Sequence, residues 1–334
     1  MNLNYEQAKT MCENVIASFI TGSHAYGMNT ETSDMDMKAI AILPLDYLFK
    51  TGEPIETLTL HPEDFAKHPE FLELLNLKEP TDYEIHTLGK FLELAKKGNP
   101  TILEMLFCNN RFIVKRGPEL DILLECRDAT LSKIAINAFA GYARQQFIRI
   151  KHGFGIDVDD TDGVMRDLFD SMSRIVDAFN LKYNEVCVMS HYDVTQDEES
   201  RVSLEFKKPI TLPETLSLIS DIKQCRESYM TLNAKNKRKD DGKMFKHAAH
   251  LIRLLKTGIE LANQKTMNVY RKDAGYLLDI RRGKYSMETI LETANDLFVI
   301  LDESMKNTTL PDFADVSVLD EAYLRIMINR FQLK

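Results

Sequence analysis

In the stretch "FITGSHAYGMNTETSDMDMKAIAIL", Phe19 to Leu43, the residue types and their spacing could do phosphate chemistry. Gly22-Ser23 directly follows the apolar run Val15 to Ile20, so the chain can turn tightly there and present backbone N–H groups and the Ser23 hydroxyl to an anion. Asp34 and Asp36 follow at the head of a second apolar run. In a strand, residues i and i+2 point to one face, so the two carboxylates would project together while Met35 and Met37 pack behind them. Carboxylates that close repel each other. They are tolerated at the solvated end of a strand, or when a hard divalent cation lies between them. At this point a polar turn and a metal site both remain open.

A second group lies far along the chain. Lys243, Lys246, His250 and Arg253 recur at i, i+3, i+7 and i+10, which places them on one helix face, with Ala249, Leu251, Ile252, Leu254 and Leu255 filling the other positions. Four nitrogen-bearing side chains in a stripe suit a triphosphate or an RNA backbone, and they suit a solvated helix face equally well. The wider run Lys235 to Lys256 holds eight basic residues against Asp240 and Asp241. Tyr142, Arg144 and Gln146 could line a cleft or face water, and Arg281 and Arg282 read as a surface loop. His24 and Tyr26 are expected to shape the glycine turn.

These residues need elements to hold them. Val15 to Ile20, Met37 to Leu43 and the strictly alternating "DYEIHTL", Asp82 to Leu88, read as strands, and the excursion between the last two is expected to hold an edge strand and a loop. Leu88, Phe91, Leu92 and Ala95 follow helical spacing, and "GNP" at Gly98 to Pro100 signals a stop and a restart. From about Asp128 the texture becomes helical, with strand character only in "NEVCVMS" and "SRVSLEF". The expected class is α+β, with an N-terminal domain at 1–115 and a mostly helical domain at 116–334 that completes a cleft.

Composition narrows the field. A chain of 334 residues, 44% hydrophobic and 28% charged, has the make-up of a soluble protein with a real core. No apolar run of about 18 residues occurs, and the N-terminal stretch lacks the basic start and apolar centre of a secretory signal, so a cytoplasmic protein without membrane partners is expected. Five scattered cysteines with no C-x-x-C pair argue against a disulfide framework and a thiolate zinc site. A net charge of -9 argues against broad coating of duplex DNA. Neither G-x-x-x-x-G-K-[ST] nor G-x-G-x-x-G is present.

"TGSHAYGMNTETSDMDMKAIAI" resembles the signature of the DNA polymerase beta-like nucleotidyltransferase superfamily: a strand, Gly-Ser, about ten residues, then D-x-D entering the next strand. With "KFLELAKKGNPTILEMLF" and "KHAAHLIRLLKTG", the chain is similar to a bacterial and phage family of nucleotidyltransferases related to the RNA-repair-associated branch. The resemblance implies a mixed sheet followed by helices, and transfer of a nucleoside monophosphate from an NTP to an acceptor hydroxyl without a template. It implies that Asp34 and Asp36 hold two Mg2+ ions, with Mn2+ able to substitute, and that Gly22 and Ser23 hold the triphosphate. It also asks for a third carboxylate on a neighbouring strand between apolar residues. Glu84, between Tyr83 and Ile85, fits best, with Asp82 and Glu104 as alternatives. The "K-x-x-x-H-x-x-R" pattern favours a site role for Lys243, Lys246, His250 and Arg253. An RNA 3′ end is the favoured acceptor. A protein hydroxyl, as in AMPylation, a small molecule, or a non-catalytic NTP- or RNA-binding module are the rivals.

Overall fold

In a computed structural model the described residues are 2–31, 33–49, 54–154, 185–192, 201–211, 214–219, 221–223 and 241–333, together with Phe179 and Tyr183. Two compact units are present, Met1–Gln145 with Ala248–Lys334, and Gln146–His247. In the first unit the elements run α1 (Tyr5–Glu13), β1 (Val15–Thr21), α2 (Gly22–Tyr26), β2 (Asp36–Ala41), α3 (Leu45–Leu48), β3 (Thr57–Leu60), α4 (Pro62–Lys67), α5 (Glu70–Leu74), β4 (Asp82–Thr87), α6 (Leu88–Lys96), α7 (Pro100–Leu106), β5 (Ile113–Arg116) and α8 (Pro118–Glu125). Helix α9 (Lys133–Phe154) leads into the second unit, with its hairpin β6 (Cys187–Tyr192) and β7 (Arg201–Phe206). Helix α10 (Asp241–Gln264) returns to the first, which ends with α11 (Ala274–Arg281), α12 (Met287–Asn307) and α13 (Val316–Phe331).

The five strands of the first unit lie in the order β3-β4-β2-β1-β5. β2 and β4 are parallel and the other pairings are antiparallel, so this is the mixed sheet with helices that an α+β reading requires, followed by a helical C-terminal part. β1, the predicted strand Val15 to Ile20, is buried along almost its whole length because it carries apolar side chains on both faces. On one face Phe19, Ile40, Phe91, Leu92, Leu106 and Leu120 form a core that also takes Leu319, Ile326 and Met327 from α13. On the other, Met11, Met37, Ala39, Leu58, Phe65, Phe71, Tyr83 and Ile85 pack together. Each large apolar side chain buried in this way contributes roughly 1.5–3 kcal/mol. Leu120, Leu319, Ile326 and Met327 from beyond residue 115 thus pack in one core with the N-terminal strands.

The punctuation signals act as expected. Gly98 takes a left-handed conformation, φ 67°, to end α6, and Asn99 caps α7 by accepting hydrogen bonds from the amides of Thr101 and Ile102 at 3.0 and 3.3 Å. The excursion before β4 supplies the edge strand β3 and also the short helices α4 and α5, which the sequence pattern did not separate from loop. β5, a second edge strand, also escaped prediction because only Ile113 of its four residues turns inward.

In the second unit, Phe179, Tyr183, Cys187, Met189 and Leu218 form a small core. The Tyr183 hydroxyl donates to Asp221 at 3.0 Å. No helix among the described residues is long and apolar enough to cross a membrane.

Candidate nucleotide site

Register decides which acids meet. Across β1, β2 and β4 one row reads Thr21, Asp36, Asp82, and the next reads Phe19, Lys38, Glu84. Paired residues share a face, so Asp36 and Asp82 are cross-strand neighbours on strands about 4.8 Å apart, and Glu84 stands one row further in. Both rows lie on the face covered further along by α6, α7 and α8. Asp36 is half-buried at the strand mouth, and Asp34 is exposed just before it.

The loop that delivers the aspartates is pinned along its length. The Thr21 hydroxyl donates to the Asp36 carbonyl at 3.1 Å, and Thr81 donates to the Met35 carbonyl. His24 Nε2 donates to the Ser33 carbonyl at 3.4 Å. Arg281, at the end of α11, donates to the Met28 carbonyl at 2.8 Å and to the Ser33 hydroxyl at 3.2 Å. Sequence reading took Arg281 for a surface residue. Its true use depends on a contact between residues about 250 positions apart, which local spacing does not encode.

Gly22 opens α2 with φ 63°, and a Cβ built on it would fall 2.3 Å from Asp36 Oδ2. The Asp36 carboxylate therefore lies directly against the Gly22 backbone, a spacing that only glycine permits. At the other end of α2, Gly27 is also left-handed, φ 74°, and its Cα packs on the Tyr270 ring. Gly22 and Asp36 are thus brought together.

The other predicted residues are distributed differently. The Glu84 carboxylate is bound by Lys38, and Asp82 Oδ1 lies 2.8 Å from His61 Nδ1. His86, beside Glu84 at 3.8 Å, is held below its ordinary pKa by burial. Glu104 is buried in α7, where its carboxylate accepts from Arg253 Nη1 at 2.5 Å and from the Tyr26 hydroxyl at 2.5 Å. Along α10, Lys243 and Lys246 are exposed, His250 is half-buried and Arg253 is only 2% exposed. The Arg253 guanidinium lies 3.7 Å over the Tyr26 ring and donates to His250 Nδ1 at 3.1 Å. Burial works against its charge, and Glu104 with Tyr26 more than restores it, so its pKa is raised. Burial also pushes the Tyr26 hydroxyl far up; Arg253 pulls it down and Glu104 adds to the rise. Gln146 pairs with His247 at 2.8 Å, and Tyr142 is exposed. The basic residues Lys235 to Lys239 lie outside the described residues.

Among the described residues no three His, Cys, Asp or Glu side chains gather as a ready metal site. The hard carboxylate oxygens of Asp34 and Asp36, the latter set directly against the Gly22 backbone, suit a divalent cation in donor chemistry. The two acids nearest the pair in register are themselves partnered, Glu84 by Lys38 and Asp82 by His61.

Comparison with known proteins agrees with this frame. Residues 4–159 match the family described as RlaP, RNA repair pathway DNA polymerase beta family. Over 347 aligned residues the chain is 23% identical to the "Uncharacterized 38.9 kDa protein in nrdC-mobD intergenic region" of Enterobacteria phage T4, with 94% of this chain and 97% of that protein covered. No solved structure matches. Nucleotidyltransferases of the polymerase beta type generally use divalent metals and take an NTP as substrate. A strand, a glycine turn against a strand-mouth aspartate, and the family match over residues 4–159 together support a polymerase beta-like nucleotidyltransferase frame for that part of the chain.

Proposed function

We propose that this chain is a template-independent nucleotidyltransferase that moves a nucleoside monophosphate from an NTP to an RNA 3′ hydroxyl and releases pyrophosphate. The observation that carries the reading is the apposition of Gly22 and Asp36, an open backbone turn against a carboxylate at a strand mouth, inside the region that matches the family. The missing Cβ lets the Asp36 carboxylate lie against the turn, and the turn's backbone N–H groups with the Ser23 hydroxyl would be the donors to phosphate oxygens beside it. Asp34 and Asp36 would hold Mg2+, as two ions with Glu84 as the third carboxylate, and Mn2+ would substitute. When bound, the metal neutralises charge on the phosphates and lowers the proton affinity of the acceptor hydroxyl. Lys38 pairs with Glu84 in the row next to Asp36, and Asp82 is the alternative third ligand. Lys243, Lys246 and His250 supply donors to the triphosphate or the RNA backbone, and Arg253 serves the same site from within the core.

The test is incubation of the purified protein with each α-labelled NTP, Mg2+, and either total RNA or lysate protein. Label in RNA is the expected outcome, lost by at least about a hundredfold in Asp36→Asn. Label in protein would replace the RNA acceptor by an AMPylation-type one, and nucleotide binding without any transfer would favour the binding module. Under transfer conditions, Glu84→Gln should abolish activity. If Glu84→Gln is active and Asp82→Asn is not, the third carboxylate is Asp82.

A further inference from the structure

Among the described residues Arg253 heads the fully buried side chains by volume. Desolvating a guanidinium is unfavourable and a leucine or methionine would fill the same space without that penalty, so space-filling does not account for it. Its contacts with Glu104 and Tyr26 lead in one direction. Arg253 donates to Glu104 at 2.5 Å and lies over the Tyr26 ring at 3.7 Å, and Tyr26 donates to the other oxygen of Glu104 at 2.5 Å. The Tyr26 carbonyl accepts from the Arg271 amide at 3.1 Å.

Tyr26 closes α2, and Gly22 opens it. A five-residue helix has too few internal hydrogen bonds to hold its own position, so its outer contacts set where it lies. Moving Tyr26 by a fraction of an ångström moves Gly22, whose backbone already touches the Asp36 carboxylate. The guanidinium has a second effect. It can only donate, so the His250 Nδ1 that it meets at 3.1 Å must accept, and the ring proton of the neutral imidazole sits on Nε2.

We propose that Arg253, Glu104 and Tyr26 form a buried strut that sets the Gly22–Ser23 turn against Asp36, which makes Tyr26 and Arg253 positioning residues for nucleotide binding. This rests on the reading of that turn and Asp36 as the nucleotide site. The strut touches no substrate. It works through geometry, where a displacement of about 1 Å at a reacting centre costs on the order of a hundredfold in rate.

Arg253→Ala would leave the Glu104 carboxylate buried without its partner and invites unfolding, so the decisive variant is Tyr26→Phe. It keeps the ring under the guanidinium and removes only the hydroxyl. Binding of fluorescent analogues of the four NTPs, with Mg2+, is followed by anisotropy alongside the melting temperature. Tyr183→Phe, which loses a comparable tyrosine–carboxylate bond in the second unit, is the control for a purely structural loss. The expected result is that Tyr26→Phe weakens nucleotide affinity roughly fivefold to tenfold with a melting temperature lowered only modestly by the unsatisfied Glu104 oxygen, while Tyr183→Phe leaves affinity alone. Wild-type affinity in Tyr26→Phe, or an equal loss in Tyr183→Phe, overturns the strut and leaves the nucleotidyltransferase reading standing. A wild-type protein that binds none of the four analogues overturns that reading, and the strut falls with it.

Discussion

Gly22 carries two demands at once. Its φ of 63° lies where a Cβ is disfavoured, and the added atom would fall 2.3 Å from Asp36 Oδ2. Gly22→Ala should therefore cost about 1–2 kcal/mol of stability from the backbone, and the Asp36 carboxylate must swing away to make room. The expected outcome is a modest drop in melting temperature with a much larger loss of nucleotide affinity, read by thermal denaturation and anisotropy on the same sample. A loss of affinity no larger than that of a surface glycine variant such as Gly275→Ala, where a Cβ meets nothing within 4 Å, would refute a special role for the turn. The types and spacing of Gly22, Ser23, Asp34 and Asp36 were legible because they act within one strand-turn-strand. The partners of Glu84, Glu104 and Arg253 were not, because each is chosen by a residue on another element.

Elements were legible where periodicity and punctuation agree. β1, β2 and β4 lie within a residue or two of their expected bounds, and "GNP" ends one helix and starts the next. At this scale Asn99→Ala should remove the α7 cap and cost about 1 kcal/mol, measurable as a lower denaturation midpoint with an unchanged slope. No change in midpoint would mean that the capping bonds to Thr101 and Ile102 contribute nothing. The stripe on α10 shows the limit of periodicity. Lys243, Lys246, His250 and Arg253 do share the predicted spacing, yet exposure falls along the helix from the lysines to the buried arginine. Periodicity fixes direction around the helix axis; what lies opposite each turn is set by packing.

At the scale of the whole molecule the chain closes on itself. Helix α13 places Leu319, Ile326 and Met327 in the same core as Phe19 and Phe91 of the N-terminal region. A chain ending at residue 315 should expose that core, and loss of three large buried side chains at roughly 1.5–3 kcal/mol each is comparable to the whole stability of an ordinary domain. The expected outcome is an aggregated or unfolded product, seen by circular dichroism and gel filtration; a truncated chain that melts like the intact one would show that α13 is dispensable. By itself the sequence determined the α+β class and the family resemblance through local periodicity and motifs, and the strands around the glycine turn with the acids at the strand mouth through residues close together in the chain. Only the tertiary structure decided that Asp82 stands beside Asp36, that Lys38 takes Glu84, and that Arg253 turns inward to Glu104 and Tyr26. Strand order, register and long-range closure are properties of the packed chain. They select one partner for each charge from several that the local pattern leaves equally available.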